Sequence, residues 1–215
     1  MKSRIAFFSG LLCLIFATMA QAAVHGSVWI NQPTVGANAT IAAAAGLGAA
    51  DAQFDVGAIN FNSDTSGYTI GAFLGNPTFS SVSAGWIAAG GAGQTLNNTY
   101  FLFTGSLFLN AGANSFVVPH DDGLQLDIAG IAGFEVDAPG PTAPVNTPFT
   151  VIAPSAGSYN FTMSYGEVLG PPAVLAFIVN NVPVGSVPEP ESYAMLLAGL
   201  GLLGIAARRR KQKSA

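Results

Sequence analysis

Short runs of β-branched and aromatic residues, separated by Gly, Pro, Asn and Asp, fill the chain between residues 24 and 187. Apolar and polar residues alternate within 124–128 and 159–163, which is the period of a strand with one buried face. Regularly spaced short strands predict an antiparallel β-sandwich or barrel. The predicted strands are 26–30, 54–61, 68–73, 100–104, 114–118, 124–128, 134–137, 148–152, 158–165 and 173–179.

Helical periodicity is weak between the two ends of the chain. The Ala-rich stretch 41–50 predicts at most a turn or two of helix, because Gly46 and Gly48 weaken it. We find neither an internal repeat nor a linker in this region. The pattern therefore predicts one all-β domain over residues 23–186.

The N-terminus has the three parts of a secretory signal. Lys2 and Arg4 precede an apolar run over 5–19, and Ala20 and Ala22 frame a small-x-small cleavage site. We predict a signal helix over residues 1–22 that signal peptidase removes after Ala22. An uncleaved membrane anchor is the less favoured alternative.

The C-terminus combines an apolar stretch with a basic cluster. Residues 193–207 carry no charge, and Arg208, Arg209 and Arg210 follow at once. At about 1.5 Å per residue the stretch is shorter than the roughly 30 Å hydrocarbon core, but flanking Arg side chains can snorkel to the headgroups. We predict a short transmembrane helix in the inner membrane, with the basic tail 208–215 cytoplasmic and the rest of the chain outside.

A short motif at 187–191 precedes this helix and includes Val187, Pro188, Glu189 and Pro190. The whole of 187–215 resembles the PEP-CTERM sorting signal of Gram-negative bacteria. The same tail is also known as the "ice-binding protein C-terminal domain". The resemblance implies recognition by exosortase, a membrane transpeptidase, and a final place at the cell surface or in a secreted matrix of exopolysaccharide and biofilm. A simple tail anchor is the alternative.

Charge is distributed very unevenly. All seven Lys and Arg lie at the two ends, whereas the eleven Asp and Glu all fall between Arg4 and Arg208. A region without basic residues does not neutralise phosphates, so nucleic-acid binding is excluded. Clustered carboxylates there must be solvated, protonated or bound to a cation. The single cysteine, Cys13, lies within the signal segment.

The second half resembles a known module. The segments FLFTGSL (101–107), NSFVV (114–118), HDDGLQLDI (120–128) and AGSYNFTMSYGE (156–167) are similar to the PA14-like β-sandwich family, with its fibro-slime and fungal-adhesin relatives. The resemblance covers about 100–179 and implies a jelly-roll-type sandwich. The strands before Tyr100 belong to it by inference only.

Asp121 and Asp122, followed by Gly123, are the main candidates for chemistry. Adjacent carboxylates repel unless a cation lies between them, and Ca²⁺ accepts several oxygen ligands. In the adhesin branch of the resembling family such a pair holds Ca²⁺ that meets sugar hydroxyls, which implies both residues as ligands. Separately from the resemblance, we suggest backbone carbonyls and a distant side chain such as Asn146 or Glu167 as the remaining ligands. The alternative is an ordinary hairpin turn with Gly123 at positive φ.

Catalysis is not expected. His120 has no partners in a nucleophile–base–acid order, so we interpret it as a turn residue. Asp127 and Asp137 alternate with apolar neighbours and are expected to face solvent. Trp29 and Trp86 are expected in the core rather than stacked on sugars.

The sequence therefore predicts an exported, exosortase-sorted protein with a structural or adhesive role in the extracellular matrix. The alternative is a calcium-dependent carbohydrate-binding module that uses the Asp-Asp-Gly turn. A polysaccharide hydrolase would need two carboxylates across a cleft, and the sparse acids show no such pair.

Overall fold

The computed structural model describes residues 23–63, 67–185 and 199–200, and it consists of two antiparallel sheets packed face to face. The strands in chain order are β1 (Val24–Trp29), β2 (Ala52–Val56), β3 (Asn60–Ser63), β4 (Phe79–Ser80), β5 (Thr99–Leu109), β6 (Gly112–Asp121), β7 (Leu124–Ile128), β8 (Val136–Ala138), β9 (Val145–Ala153), β10 (Gly157–Glu167), β11 (Ala173–Ala176), β12 (Ile178–Val179) and β13 (Val182–Pro183).

The first sheet has the order β4-β2-β1-β5-β10-β7-β8, and the second has β13-β12-β6-β11-β3 with β9 paired along β6. The long pair β5–β10 is the centre of the first sheet, where Gly157 faces Leu109 and Glu167 faces Thr99. Strand β1 pairs with β5 and β2 pairs with β1, so the region before Tyr100 belongs to the same sandwich, and the all-β prediction is confirmed.

The inner faces of both sheets form one apolar core. Aromatic side chains dominate it: Phe101 and Phe103 stack at 6.0 Å between ring centroids, and Phe73 stacks on Tyr165 at 5.7 Å. Such pairs stabilise a core beyond the area that they bury. Trp86 is also buried in this core, as expected from the sequence.

The body has three short α-helices among the described residues: α1 (Pro33–Gly36), α2 (Ile70–Phe73) and α3 (Ala84–Ala88). The strand predicted over 68–73 is wrong, because the Thr69 side chain accepts a hydrogen bond from the Ala72 N–H and begins α2. The predicted runs 54–61 and 173–179 each divide into two strands. The Ala-rich stretch forms a 3-10 turn over Ile41–Gly46.

The segment between β1 and β2 covers the outer face of the first sheet. Trp29 and Tyr100 are buried beneath it, with ring centroids 5.6 Å apart. The Ser164 hydroxyl donates to the Ala39 carbonyl oxygen at 2.6 Å, which fixes the segment over β10. This cover extends to the end of the sandwich where β10 finishes, since a Cβ added at Gly36 would lie 2.9 Å from the Thr99 carbonyl oxygen.

The two ends of the sandwich are distinct. Val24 begins β1 beside Gly185, where a Cβ on Gly185 would meet the Val24 side chain at 3.0 Å; we call this the terminal end. Trp29 finishes β1 about 17 Å away, at the end where Glu167 lies, since five strand steps rise about 3.3 Å each. We call that the carboxylate end.

Within residues 23–63, 67–185 and 199–200, no helix is long and apolar enough to cross a membrane. The predicted signal helix over 1–22 lies outside the described residues, as does nearly all of the predicted transmembrane helix over 193–207.

Candidate functional site

The Asp-Asp-Gly segment connects the two sheets. Asp121 is the last residue of β6 in the second sheet, and Leu124 is the first of β7 in the first sheet. Strands β6 and β7 are therefore not partners, and the hairpin-turn interpretation is wrong. The peptide bond between Asp121 and Asp122 is cis.

Gly123 is required for space rather than for a positive φ, which it does not have. A Cβ at this position would lie 2.3 Å from the Pro139 carbonyl oxygen and 2.5 Å from that of Gly140. Its own carbonyl accepts the Gly166 N–H at 2.9 Å. Only a residue without a side chain lets the chain pass between β10 and the 139–140 loop here.

Glu167 completes a cluster with the aspartates. It is the last residue of β10, and its carboxylate and those of Asp121 and Asp122 each place an oxygen within 4.8 Å of the others. All three side chains are buried. We call these three residues the carboxylate cluster.

Backbone amides hold Asp122 in place. Its Oδ2 accepts the N–H of Val168 at 2.8 Å and of Leu169 at 3.1 Å, and its Oδ1 accepts the N–H of Thr142 at 3.1 Å. A carboxylate has about four lone-pair positions, so one remains for another partner. Leu169 itself is 69% exposed and places an apolar side chain on the rim of the site.

Two tyrosines surround Glu167. The Tyr68 hydroxyl lies 2.8 Å from Oε1 and the Tyr165 hydroxyl lies 2.9 Å from Oε2. Tyr165 also contacts the Asp121 carbonyl oxygen, although it has a single proton to donate. A protonated Glu167 carboxyl resolves this conflict. It donates its proton to the Tyr165 hydroxyl oxygen, and the Tyr165 hydroxyl then donates to the Asp121 carbonyl oxygen.

The shifted pKa values of the cluster agree with a protonated Glu167. Burial raises the pKa of Glu167 from 4.5 to about 8, the Asp122 charge adds to the rise, and the tyrosine hydroxyls oppose it. Burial and then the adjacent Asp122 raise the pKa of Asp121 from 3.8 to about 6. No Lys or Arg occurs between residues 5 and 207 to neutralise them. The cluster therefore holds a proton, or a cation in its place.

His120 lies behind the pair in β6 and is buried, so its interpretation as a turn residue is wrong. Its Nδ1 is 2.7 Å from the Asp122 carbonyl oxygen and must donate to it. Its Nε2 lies 3.0 Å from Thr147 Oγ1 on β9. Burial lowers the pKa of His120, so the neutral ring fixes the backbone of Asp122 against β9.

Of the two residues suggested to complete the ligand shell, the structure brings one to the pair. Glu167 is in the cluster, whereas Asn146 is exposed on β9. Because side chains alternate along a strand and Thr147 faces His120, Asn146 points the other way. A signal for Glu167 is present in the sequence. Phe161, Met163 and Tyr165 alternate along β10 with their side chains in the core, and the same alternation places the Glu167 side chain on the buried face.

The remaining predicted residues fall elsewhere. Asp127 is half-buried, and Asp137 is exposed and accepts a hydrogen bond from Gln125 at 2.8 Å. The aromatic prediction is confirmed, since Trp29 and Trp86 are both buried. The residues of the processing signals lie outside the described residues: Ala20, Ala22, Val187, Pro188, Glu189, Pro190, Arg208, Arg209 and Arg210.

Comparison with solved structures identifies the fold. The PA14 domain of the antifreeze protein MpAFP is 17% identical, with a TM-score of 0.57 over 76% of this chain and 88% of that one. The PA14 sugar-binding domain from an RTX adhesin is 19% identical, with a TM-score of 0.52 over 73% and 88%. The body is a PA14-like β-sandwich. At these identities the likeness establishes the fold of the PA14-like body and nothing about its ligand.

The tail is identified separately. Residues 186–211 match the PEP-CTERM protein-sorting motif, which confirms the resemblance seen at Val187–Pro190 and implies export with a C-terminal membrane anchor before cleavage. A search of curated proteins found no significant match. The motif begins one residue after Gly185, and the carboxylate cluster lies at the end of the PA14-like body opposite to Gly185.

Proposed function

We propose that the chain is an exported adhesive protein of the cell surface or extracellular matrix, whose PA14-like body binds Ca²⁺ at Asp121, Asp122 and Glu167 and binds a glycan there. One observation carries the proposal: three carboxylates are buried together in a body without Lys or Arg. Burial of carboxylates without a positively charged partner is costly, and a divalent cation is the partner that offsets it.

The donor set fits Ca²⁺. Carboxylate oxygens are its preferred ligands, several are needed, and the geometry is permissive. Asp122 is oriented by three backbone amides, and the Asp121 side chain hydrogen-bonds to Asp122, a contact that a cation between the two carboxylates would replace. When bound, Ca²⁺ supplies coordination positions that accept sugar hydroxyl oxygens. Asp121, Asp122 and Glu167 would hold it, and Glu167 would release its proton.

The sorting motif supports the surface location. Exosortase is the processing partner that the motif implies, and the carboxylate end is opposite to Gly185, which directly precedes the motif. A glycan outside the cell is then the ligand that the cluster would meet, and the sugar-binding domain of the RTX adhesin shares this fold. We propose no catalytic role, since His120 is engaged by Asp122 and Thr147 at both ring nitrogens.

Calcium binding is tested by calorimetric titration of the protein with Ca²⁺ and Mg²⁺ at pH 8. We expect Ca²⁺ to bind, with release of the Glu167 proton, and Asp122→Asn to lose binding. Asp137→Asn is the matched control, because its carboxylate lies outside the cluster and is exposed. Equal heats for the wild type and Asp122→Asn would contradict the calcium site.

Sorting is tested by the intact mass of the surface form. We expect a chain that begins at Ala23 and ends close to Pro190, because the signal peptide and the basic tail are removed. A surface form that still carries Arg208, Arg209 and Arg210 would be a simple tail-anchored protein instead.

A further inference from the structure

An open groove runs along β3, outside the carboxylate cluster. One part is a cavity of about 550 Å³ lined by Asp55, Asn60, Phe61, Asn62, Ala72 and Pro77, among others. A second part, of about 250 Å³, is lined by Asn62, Ser63, Gly67 and Ala72. The two parts share Asn62 and Ala72 and therefore adjoin; we call the two together the β3 groove.

The floor and the edge of the groove differ in chemistry. Phe61 and Phe73 close the floor from beneath and are buried, whereas the Asn60 and Asn62 side chains are exposed. Neither amide side chain makes a hydrogen bond with the described residues. Two primary amides therefore stand about 7 Å apart along the strand, each with donors and an acceptor available.

The backbone of β3 adds further polar groups. Phe177 N–H donates to the Ile59 carbonyl oxygen, and the register continues through Phe61 with Leu175. Because hydrogen-bonded residues alternate in an antiparallel pair, the N–H and C=O groups of Asn60 and Asn62 point away from β11. They face the groove, since β3 is the edge strand of its sheet.

The groove leads to the carboxylate cluster. Ser63 at its upper end pairs with Ala173 on β11, and the next residue, Val174, pairs with Asp121 on β6. On its other wall, Gly67 precedes Tyr68, whose hydroxyl contacts Glu167. The lower end at Asp55 and Asn60 lies toward the terminal end of the sandwich.

Charge narrows the choice of ligand. Among the described residues that line the groove, Asp55 is the charged one, and the region between Arg4 and Arg208 has no Lys or Arg. A chain of uronic acids or sulfated sugars would be repelled, whereas hydroxyl groups suit amides and a carboxylate. The outward edge of β3 offers the backbone of two residues, which is too short to pair an added peptide strand.

We propose that this groove binds a neutral, extended polysaccharide chain, with one sugar at the carboxylate cluster and the following sugars along Asn62 and Asn60. The inference rests on the proposed function for the first sugar and extends it to several sugars. The protein then binds internal sugars along a polysaccharide chain, rather than a single terminal sugar as many lectins do.

The test is binding of the protein, with Ca²⁺ present, to an array of neutral and uronic-acid oligosaccharides of one to six sugars. We expect affinity for neutral chains to rise roughly tenfold beyond the first sugar, as about one added net hydrogen bond would give. The double variant Asn60→Ala/Asn62→Ala should keep the affinity for the single sugar and lose the rise. Asn146→Ala, an exposed Asn on the strand β9 of the same sheet, should keep both.

The outcomes separate the two proposals. Binding of single sugars and long chains with equal affinity, or preference for acidic chains, overturns the groove and leaves the calcium site. If the wild-type protein binds no oligosaccharide of any length, with or without Ca²⁺, the proposed function itself is overturned. Binding of extended peptides in place of oligosaccharides would assign the β3 edge to strand pairing instead.

Discussion

At the carboxylate end, Asp121, Asp122 and Glu167 are buried together, whereas at the terminal end the Asp55 side chain is 70% exposed and lies 3.0 Å from His25 Nδ1. Both ends hold acids, but water screens the second group and not the first. The buried acids are positioned by backbone amides and tyrosines, each with a defined partner. The difference shows that sequence position alone does not separate a site from a surface pair, whereas burial does.

The largest expected effect concerns the pH dependence of stability without Ca²⁺. The folded-state pKa of Glu167 is raised from 4.5 to about 8, so the folded state binds this proton more tightly than the unfolded state. The free energy of unfolding should therefore fall as pH rises from about 4.5 to about 8 and then level off. The loss is a few kcal/mol at most, at roughly 1.4 kcal/mol per pKa unit.

Urea unfolding in chelator at pH 5 and at pH 8 measures this fall. The variant Glu167→Gln should remove most of it, because the amide does not ionise. Saturating Ca²⁺ at pH 8 should restore stability in the wild type, by about 2.7 kcal/mol at a hundred times its dissociation constant. If the free energy of unfolding of the wild type is the same at both pH values, water reaches the cluster and the pKa of Glu167 is not raised by burial.

Much of the fold follows from strand alternation in the sequence, because β5, β7 and β10 each have one face in the core. The strand prediction for 68–73 is wrong because a four-residue helix is too short to show its period, and Tyr, Thr, Ile and Phe favour strands. The hairpin alternative for Asp-Asp-Gly fails because local chemistry does not reveal that the flanking strands belong to different sheets.

The candidate site was predictable only in part. Asp121 and Asp122 follow from their adjacency in a chain poor in charge. The role of Gly123 depends on a loop at Pro139, and Tyr68 reaches Glu167 across 99 positions of sequence. Such contacts arise from packing between sheets, which no local pattern encodes.

The next effect in size is steric and tests how closely the carboxylate end is packed. Gly123→Ala places a Cβ against the Pro139 carbonyl oxygen, so the 139–140 loop must move, at a cost of about 1–3 kcal/mol. Since Thr142 in that loop donates to Asp122, calcium affinity should fall as well. Urea unfolding and calcium titration measure the two losses.

Gly140→Ala is the matched control for that variant. It lies in the same loop, has no positive φ, and a Cβ there would meet no atom within 4 Å. Its stability should stay within about 0.5 kcal/mol of the wild type. If the two alanine variants have the same stability and calcium affinity, the close contact between Gly123 and the Pro139 carbonyl oxygen does not determine either property.

The smallest expected effect lies at the terminal end. Asp55→Asn removes the exposed contact with His25, and an exposed ion pair contributes at most about 0.5 kcal/mol, less at high salt. The thermal shift that Ca²⁺ produces should be unchanged, because Asp55 lies on β2 at the end of the sandwich opposite to the cluster. A melt of this variant with Ca²⁺ and with chelator checks both statements. A lost calcium shift would mean that the two ends are coupled through the sheet, and the contrast between a buried site and a solvated pair would no longer hold.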